Sequence, residues 1–487
     1  MESRRYIMAY KIGNRRQITF FPPTIDEYIG SEDPVRVYDA FVDALNIEEL
    51  GISVRCDKAA GAHEYYPKAM LKLIIYGYSY GNRSSRRLER ACHHNLSFIW
   101  LMSGLKPDYR TIARFRSENK EAIKNILKQS VKLCIKLGLI EGNTLFIDGS
   151  KFRANASIKN TWTDKRCEDY FEKISKNIDR LVDEAECIDR QEEEKESLVK
   201  IKKELMNQEK LQATIQDIAK TLKETKKSSI NTVDRDCVKA KGRQGTHASY
   251  NAQIVVDEKH GLIVSSDAVS ENNDLNQFHN QLKEASKVIG DKPKAACSDS
   301  GYFSLKDIKQ VSEDIMVVMP TQKQAQKENN IHPVKPFDKE QFQYDSTKDE
   351  YVCPEGKRLT NIGIAFSDSR KRAYKTDGKD CRVCPHFGVC TPSRDGRRIV
   401  RMLEEPLKEH LEAIYHSSEG QEVYRLRKQK VELPFGHMKR NLGAGQFLLR
   451  GRKGVNAELS LLSTCFNIAR MITLVGIPAL ILKLQGM

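Results

Sequence analysis

Residues 164–227 contain neither proline nor glycine, and their apolar side chains recur at the spacing of a helical seam. Ile174, Ile178, Leu181, Ala185 and Ile188 step by four and three. Leu198, Ile201 and Leu205, then Leu211, Ile215, Ile218 and Leu222, resume the rhythm. A stripe so narrow is covered by one partner helix, so the segment predicts an antiparallel coiled-coil hairpin. The acidic stretch 191–196 (QEEEKE) is expected near its turn. Such a hairpin is a spacer or a partner surface and offers no chemistry of its own.

The hairpin interrupts a run of strands. Before it, TLFIDGS (144–150) is a short apolar run of β-formers that delivers Asp148 to the end of a buried strand. After it come ASYNAQIVVD (248–257) and LIVSSDAVS (262–270), joined by a turn at EKHG. A helix is expected over 274–289, a strand in KAACSDSGY ending at Asp299, and another in IMVVMPT (315–321). Three strands, helix, strand, helix, strand is the order of a mixed sheet flanked by helices, an α/β fold. Residues 322–410 are polar, contain proline and break the rhythm, as an insertion would; helices resume over 420–439 and 455–475.

The first 140 residues read as mostly helical. Arg83, Arg86, Arg87 and Arg90 fall at i, i+3, i+4 and i+7, which predicts one helical face of guanidinium groups. A further helix starting at Pro107-Asp108, with Asp108 as its cap, carries Arg110, Arg114 and Arg116. Such helices suit phosphate docking or a major groove, although a solvated face carrying Glu89 and Glu118 reads the same way. The chain holds 81 Lys and Arg against 66 Asp and Glu, a net +15, which favours a polyanionic partner without proving one. The beginning lacks the apolar stretch of a signal peptide. The most apolar run, 471–484, is short for a membrane span and holds Pro478 and Lys483, so no membrane is expected.

Of 12 cysteines, Cys353, Cys381, Cys384 and Cys390 cluster while the others are scattered. The two-residue gap between Cys381 and Cys384 lets two thiolates meet one tetrahedral ion, and the other two complete a closed shell. A structural Zn²⁺ site is the expectation, with His386 a spare ligand, an iron–sulfur cluster or free thiols the alternatives. Reduced, scattered cysteines and no export signal point to the cytoplasm.

Asp148 and Asp299 each close a predicted strand beside a glycine turn, where a carboxylate is open to metal or phosphate. Hard cations such as Mg²⁺ take oxygen ligands and keep several waters, so two or three carboxylates suffice. The later helix YRLRKQKVELPFGHMK supplies Glu432 amid cations, as a third ligand or a salt-bridge partner. Lys439 lies seven residues on, about two turns along the same face, with Pro434 a kink point between them. Asp267 and Asp274 are rival carboxylates, Asp274 reading as the cap of the helix that follows. His247 and His279 read as structural.

The segments IDGSKFRANAS, YNAQIVVD, SDSGYFS and Y-x2-R-x4-E-x6-K resemble those of DDE transposases of bacterial insertion sequences. So do YPKAMLKLIIYGYSYGNRSSRRLE, PDYRTIARFR and LLRGRKGVNAELSLLSTCFNIARM, from the branch with an N-terminal helical domain, a coiled-coil insertion and a cysteine cluster. The resemblance spans nearly the whole chain. It implies a ribonuclease-H-like core in which Asp148, Asp299 and Glu432 hold Mg²⁺ or Mn²⁺, and DNA contacts by Tyr424, Arg427 and Lys439. Four residues rather than the usual three separate Arg427 from Glu432, which makes Arg425 and Lys428 alternatives to Arg427. The domains expected are an N-terminal helical DNA-binding domain (1–140), core segments (141–163 and 229–321), the coiled coil (164–228), a Cys-rich insertion (322–410) and C-terminal catalytic helices (411–487).

The reaction implied is metal-dependent cleavage at the terminal inverted repeats of the element, then attack of the freed 3′-hydroxyl on target DNA. Double-stranded DNA is the partner, and paired ends imply a homodimer or larger assembly on DNA, in the bacterial cytoplasm at the nucleoid. A metal-dependent nuclease on the same core would cut without joining. A non-catalytic zinc-containing DNA-binding protein would leave the three carboxylates far apart.

Overall fold

A computed structural model describes residues 24–52, 64–191, 195–225, 229–242, 245–328, 336–366 and 368–486, the side chains of 186–199 excepted. The N-terminal start and part of the 191–196 turn lie outside the described residues. Contacts divide the chain into two units, 1–118 with 468–487, and 119–467.

The first unit is helical. Helix α1 (Pro34–Asp43) starts on Pro34, and the Asp33 side chain accepts from Val35 N at 2.9 Å. Proline at the first helical position and a carboxylate cap both satisfy orphan N–H groups. Helix α2 (Pro67–Ser79) buries Leu71, Ile74, Ile75 and Tyr78. It meets α3 (Ser85–His94) so closely that a Cβ on Gly77 would stand 2.3 Å from Leu88 Cδ2. Helix α4 (Tyr109–Glu118) is capped as expected: Asp108 accepts from Thr111 N at 2.6 Å. The C-terminal helix Ile477–Gln485 packs on α1.

The second unit begins with α5 (Lys120–Lys136) and β1 (Thr144–Arg153). Helices α6 (Asp164–Gln191) and α7 (Lys195–Thr225) pack together through Cys167, Ile174, Ile215, Ile218 and Leu222. Residues early in α6 meet residues late in α7, so the pair runs antiparallel. The apolar seam is buried near its base, whereas Val182, Met206 and Leu211 are exposed.

The core sheet continues with β2 (Val238–Gly242), β3 (Gly245–Asp257) and β4 (Ile263–Val269). After α8 (Phe278–Ile289) come β5 (Ala295–Cys297) and β6 (Met316–Val318). β3 pairs antiparallel with β1 on one side and with β2 and β4 on the other; β5 and β6 follow β1 in parallel. β2 was not foreseen, since VKAKG is short and its alternation offers only Val238 and Ala240 as apolar positions.

Residues 336–402 form a separate five-stranded antiparallel sheet where only a polar insertion was expected. Its strands are β7 (Gln343–Asp345), β8 (Glu350–Val352), β9 (Arg358–Ala365), β10 (Asp368–Lys375) and β11 (Arg398–Met402), in order. One face packs Phe342, Tyr351, Leu359, Tyr374 and Ile399 into a small core. Helices α9 (Glu405–His416), α10 (Ser418–Arg440) and α11 (Gly451–Val475) follow, and α10 runs on through Pro434.

Helix α11 is long and apolar enough to cross a membrane, yet two-thirds of its most apolar window, 67%, is buried within the protein. Its Asn456 and Asn467 donate to and accept from the backbone of β4: Ala268 N to Asn456 at 2.6 Å, Ile263 N to Asn467 at 2.8 Å. Side-chain amides thereby satisfy an outer strand whose N–H groups would otherwise recruit another chain.

Candidate active site

β1 and β5 are parallel neighbours with Phe146 opposite Cys297, so two residues further along Asp148, within β1, and Asp299, just past the end of β5, stand at about the same level. Asp148 was expected to end its strand, but β1 runs on to Arg153 through its pairing with β3. Both carboxylates are largely buried. Burial, then the charge of Asp299, pushes Asp148 up to about 7 against the pull of Arg427. Burial also raises Asp299, opposed by Arg427 and by the Gly301 N–H that its Oδ1 accepts at 2.9 Å. Two buried acids that resist losing both protons form a site built for an added positive charge.

Helix α10 supplies a cation. Arg427 is largely buried, its Nη1 lies 3.9 Å from Asp148 Oδ1, and its Nε has no hydrogen-bond partner. Its guanidinium also lies 5.5 Å from the Tyr424 ring centre. Just over three turns further along α10, Lys439 Nζ reaches Ser150 Oγ at 2.5 Å and lies 4.7 Å over the Phe152 ring. Asp148, Ser150 and Phe152 alternate along β1 onto the face that α10 covers. Tyr424, Arg427 and Lys439 thus meet β1 or its carboxylates from one side of α10.

The structure does not bring Glu432 to the two aspartates. Glu432 is exposed and lines a groove with Arg425, Lys428, His437 and Arg440. The four-residue gap explains the placement. With the usual three-residue spacer the acid would stand at Val431, which is buried, and one further residue turns the side chain by about 100°. Arg425 and Lys428, the alternatives to Arg427, share the outer face with Glu432.

A different carboxylate stands by the pair. Asp274 was expected to cap α8, but Gln277 occupies that cap position. The Asp274 Oδ1 instead accepts from Asn251 Nδ2 and Gln253 Nε2, each at 2.7 Å. Its negative charge bears on both Asp148 and Asp299. The Gln253 amide is oriented from its other end by the Tyr302 hydroxyl, which donates to Oε1. Gly149 makes room: a Cβ there would stand 2.5 Å from both Asp274 Oδ1 and Gln253 Nε2. Beside them the Lys151 Nζ is buried without a hydrogen-bond partner. Asn251, Gln253 and Tyr302 escaped the sequence reading. For Asn251 and Gln253 the signal was two amides at i and i+2 within the apolar stretch of β3, which mark one face of it.

Asp267 is the cross-strand partner of Gln253 but pairs with Arg452 at 3.1 Å. Among the N-terminal arginines, Arg86, Arg87, Arg90, Arg110 and Arg114 are exposed. Arg86 and Arg110 both approach the Tyr109 ring, at 5.2 and 5.8 Å. Arg83 is not on the predicted face, because α3 begins only after Ser84. Arg116 is buried and bonds Tyr78, Ser85 and the Arg83 carbonyl, so it holds the fold.

Cys353, Cys381, Cys384 and Cys390 line one pocket with His386. Backbone N–H groups point at two of the sulfurs, Lys357 N to Cys353 at 3.2 Å and Arg397 N to Cys381 at 3.4 Å. Among the described residues, no group of three or more His, Cys, Asp or Glu is already arranged to hold a metal ion.

Two family models match the chain. Residues 23–118 match a transposase domain (DUF772), and residues 352–472 match a transposase DDE domain. The second stretch contains Tyr424, Arg427, Glu432 and Lys439; Asp148 and Asp299 precede it. Neither a curated protein nor a solved structure matches. A DDE domain implies a ribonuclease-H-like core, DNA binding, divalent-metal use and catalysis. With a transposase domain model matched in each half, the chain is similar to DDE-type transposases of insertion sequences, which supports DNA transposase activity in general.

Proposed function

We propose that this transposase cuts DNA at the terminal inverted repeats of its element and joins the freed 3′ ends to target DNA, with Asp148 and Asp299 holding Mg²⁺ or Mn²⁺. One observation carries the reading: two largely buried carboxylates side by side on adjacent parallel strands, one within its strand and one just past its end, both raised and facing a largely buried arginine. Hard oxygen donors suit such an ion. When bound, the metal supplies activation of the attacking oxygen and stabilisation of charge on the leaving one. Arg427 neutralises part of the acidic pair and, with Tyr424 and Lys439, lies where a DNA phosphate would enter. The exposed Arg86, Arg87, Arg90, Arg110 and Arg114 suit phosphate contacts elsewhere on the DNA.

The third ligand has two candidates. Glu432 has the motif's position and must turn inward, as rotation of α10 on DNA would achieve. Asp274 already acts electrostatically on both partners, which favours it in the state described. A Zn²⁺ site is proposed at the four cysteines. N–H groups directed at Cys353 and Cys381 are the bonds that stabilise ligating thiolates, and four protein ligands make the role structural. Pairing two ends in one reaction calls for at least two protomers, acting on bacterial DNA in the cytoplasm.

The test incubates the protein with Mg²⁺ and duplexes carrying the element's own flanking repeats. Cleavage at the repeat boundary and a joined product, both lost in Asp299→Asn, are expected. Cleavage without joining makes it a nuclease, and unchanged cutting by Asp299→Asn removes the aspartate pair from the chemistry.

A further inference from the structure

Arg427 brings positive charge to the aspartate pair, yet polar bonds do little to fix its head. Its Nε is buried without a partner, and its ion pair with Asp148 is long, 3.9 Å. The guanidinium instead lies against a ring, 5.5 Å from the centre of Tyr424. Arginine heads stack on aromatic faces, so the place of the head follows the place of the ring.

The Tyr424 ring has its own support. Tyr415, on the last turn of α9 and 1% exposed, meets it edge to face, with ring centres 5.1 Å apart and planes at 75°. The corner between the two helices is tight: a Cβ on Gly420 would stand 2.0 Å from the Ile414 carbonyl oxygen. Across it, Gln421 Nε2 donates to the Tyr415 carbonyl at 2.6 Å. The Tyr415 hydroxyl donates to the Glu328 carboxylate, at 2.8 Å from Oε1 and 3.0 Å from Oε2. A bond to an ionised acceptor is among the stronger ones a hydroxyl makes.

Glu328 ends the short helix Gln322–Glu328, which packs on Ser300–Tyr302, the turn that follows Asp299. A second contact ties that helix to α9, Gln324 Nε2 to His416 Nε2 at 3.0 Å. The line Glu328, Tyr415, Tyr424, Arg427 therefore starts on the element that backs one aspartate and ends at the other. We infer that Tyr415, anchored by Glu328, is a positioning residue: through the Tyr424 ring it holds the Arg427 guanidinium beside Asp148. A plain corner contact between α9 and α10 would bond the same groups without governing Arg427. The inference rests on Arg427 serving the cleavage proposed above, but its first test needs neither DNA nor metal.

In full-length protein with nitrogen-15-labelled arginine, hydrogen exchange is followed at the Nε–H groups of Arg427, Arg116 and Arg397. All three are buried without a partner at Nε, and each signal is assigned by its own Arg→Lys variant. Tyr415→Phe should speed exchange at Arg427 about tenfold or more, while Arg116 and Arg397 keep their wild-type rates. Glu328→Ala should repeat that change, and Glu328→Gln, which keeps an acceptor for the hydroxyl, should restore slow exchange. On duplexes carrying the element's ends, Tyr415→Phe should slow single-turnover cleavage about fivefold or more with DNA affinity unchanged. In an Arg427→Lys background it should add no further loss. Wild-type exchange at Arg427 in Tyr415→Phe overturns the inference. So does faster exchange at all three arginines, which makes Tyr415 a general fold contact, or a cleavage loss that simply adds to that of Arg427→Lys. If exchange changes at Arg427 alone yet wild type never cuts element ends, the cleavage reading alone falls.

Discussion

Replacing Asp148 by asparagine removes a buried charge while keeping the side chain's shape. Unfolded, this carboxyl ionises near 3.8; folded, burial and Asp299 hold it up to about 7. Between those values the folded protein keeps a proton that the unfolded chain has released. Stability therefore falls as pH rises through that window, and the whole penalty is present above pH 7. At about 1.4 kcal/mol per tenfold change, its ceiling is about 4 kcal/mol. Asp148→Asn lacks the penalty and also relieves Asp299. Urea unfolding from pH 4 to pH 9 should show the variant no more stable than wild type at pH 4. It should then gain on wild type up to pH 7 and hold a constant advantage of about 2–4 kcal/mol above it. Mg²⁺ at pH 8 should stabilise wild type and leave the variant unmoved. A difference between the two proteins that does not vary with pH would refute the reasoning.

Gly149→Ala forces a Cβ to within 2.5 Å of Asp274 and Gln253, so it should cost about 1–3 kcal/mol in urea unfolding and abolish cleavage. Tyr250→Phe removes the 2.7 Å bond to the buried Asp234, leaving that carboxylate to backbone donors, and should lower stability by about 1–3 kcal/mol by the same assay. Cys384→Ser should cut bound zinc, measured by atomic emission, from about one ion per chain to well under half; wild-type protein purified without zinc would end that assignment.

The strands that bring Asp148 and Asp299 together were legible because an apolar run stopping at Asp beside glycine is a local signal, although β1 continues through polar residues to Arg153 on its pairing with β3. Helix α10 was legible too, but not the direction of Glu432, since one extra residue rotates a side chain by about 100°. Asp274 was misread for a related reason. A carboxylate before a helix looks like a cap, and nothing nearby shows that Asn251 and Gln253, from a distant strand, claim it. Arg83 belonged to an arithmetic stripe, yet Ser84 starts the helix after it. The five-stranded sheet was hidden by short strands, by polar outer faces, and by register shifts at Asn361/Gly363 and Ile364/Ala365 that break the alternation. The seam of α6 and α7 was plain in its rhythm, although exposed Leu211 shows that rhythm alone does not ensure burial.

Equilibrium binding of Mn²⁺, followed by electron paramagnetic resonance on the full-length protein without DNA, bears most directly on the acidic pair. Wild type should take up the ion with an affinity that rises through about pH 7 as Asp148 ionises, and Asp148→Asn/Asp299→Asn should lose it. Asp274→Asn and Glu432→Gln would then show which third acid matters. Equal Mn²⁺ uptake by wild type and the double variant would contradict the assignment of Asp148 and Asp299 as metal ligands.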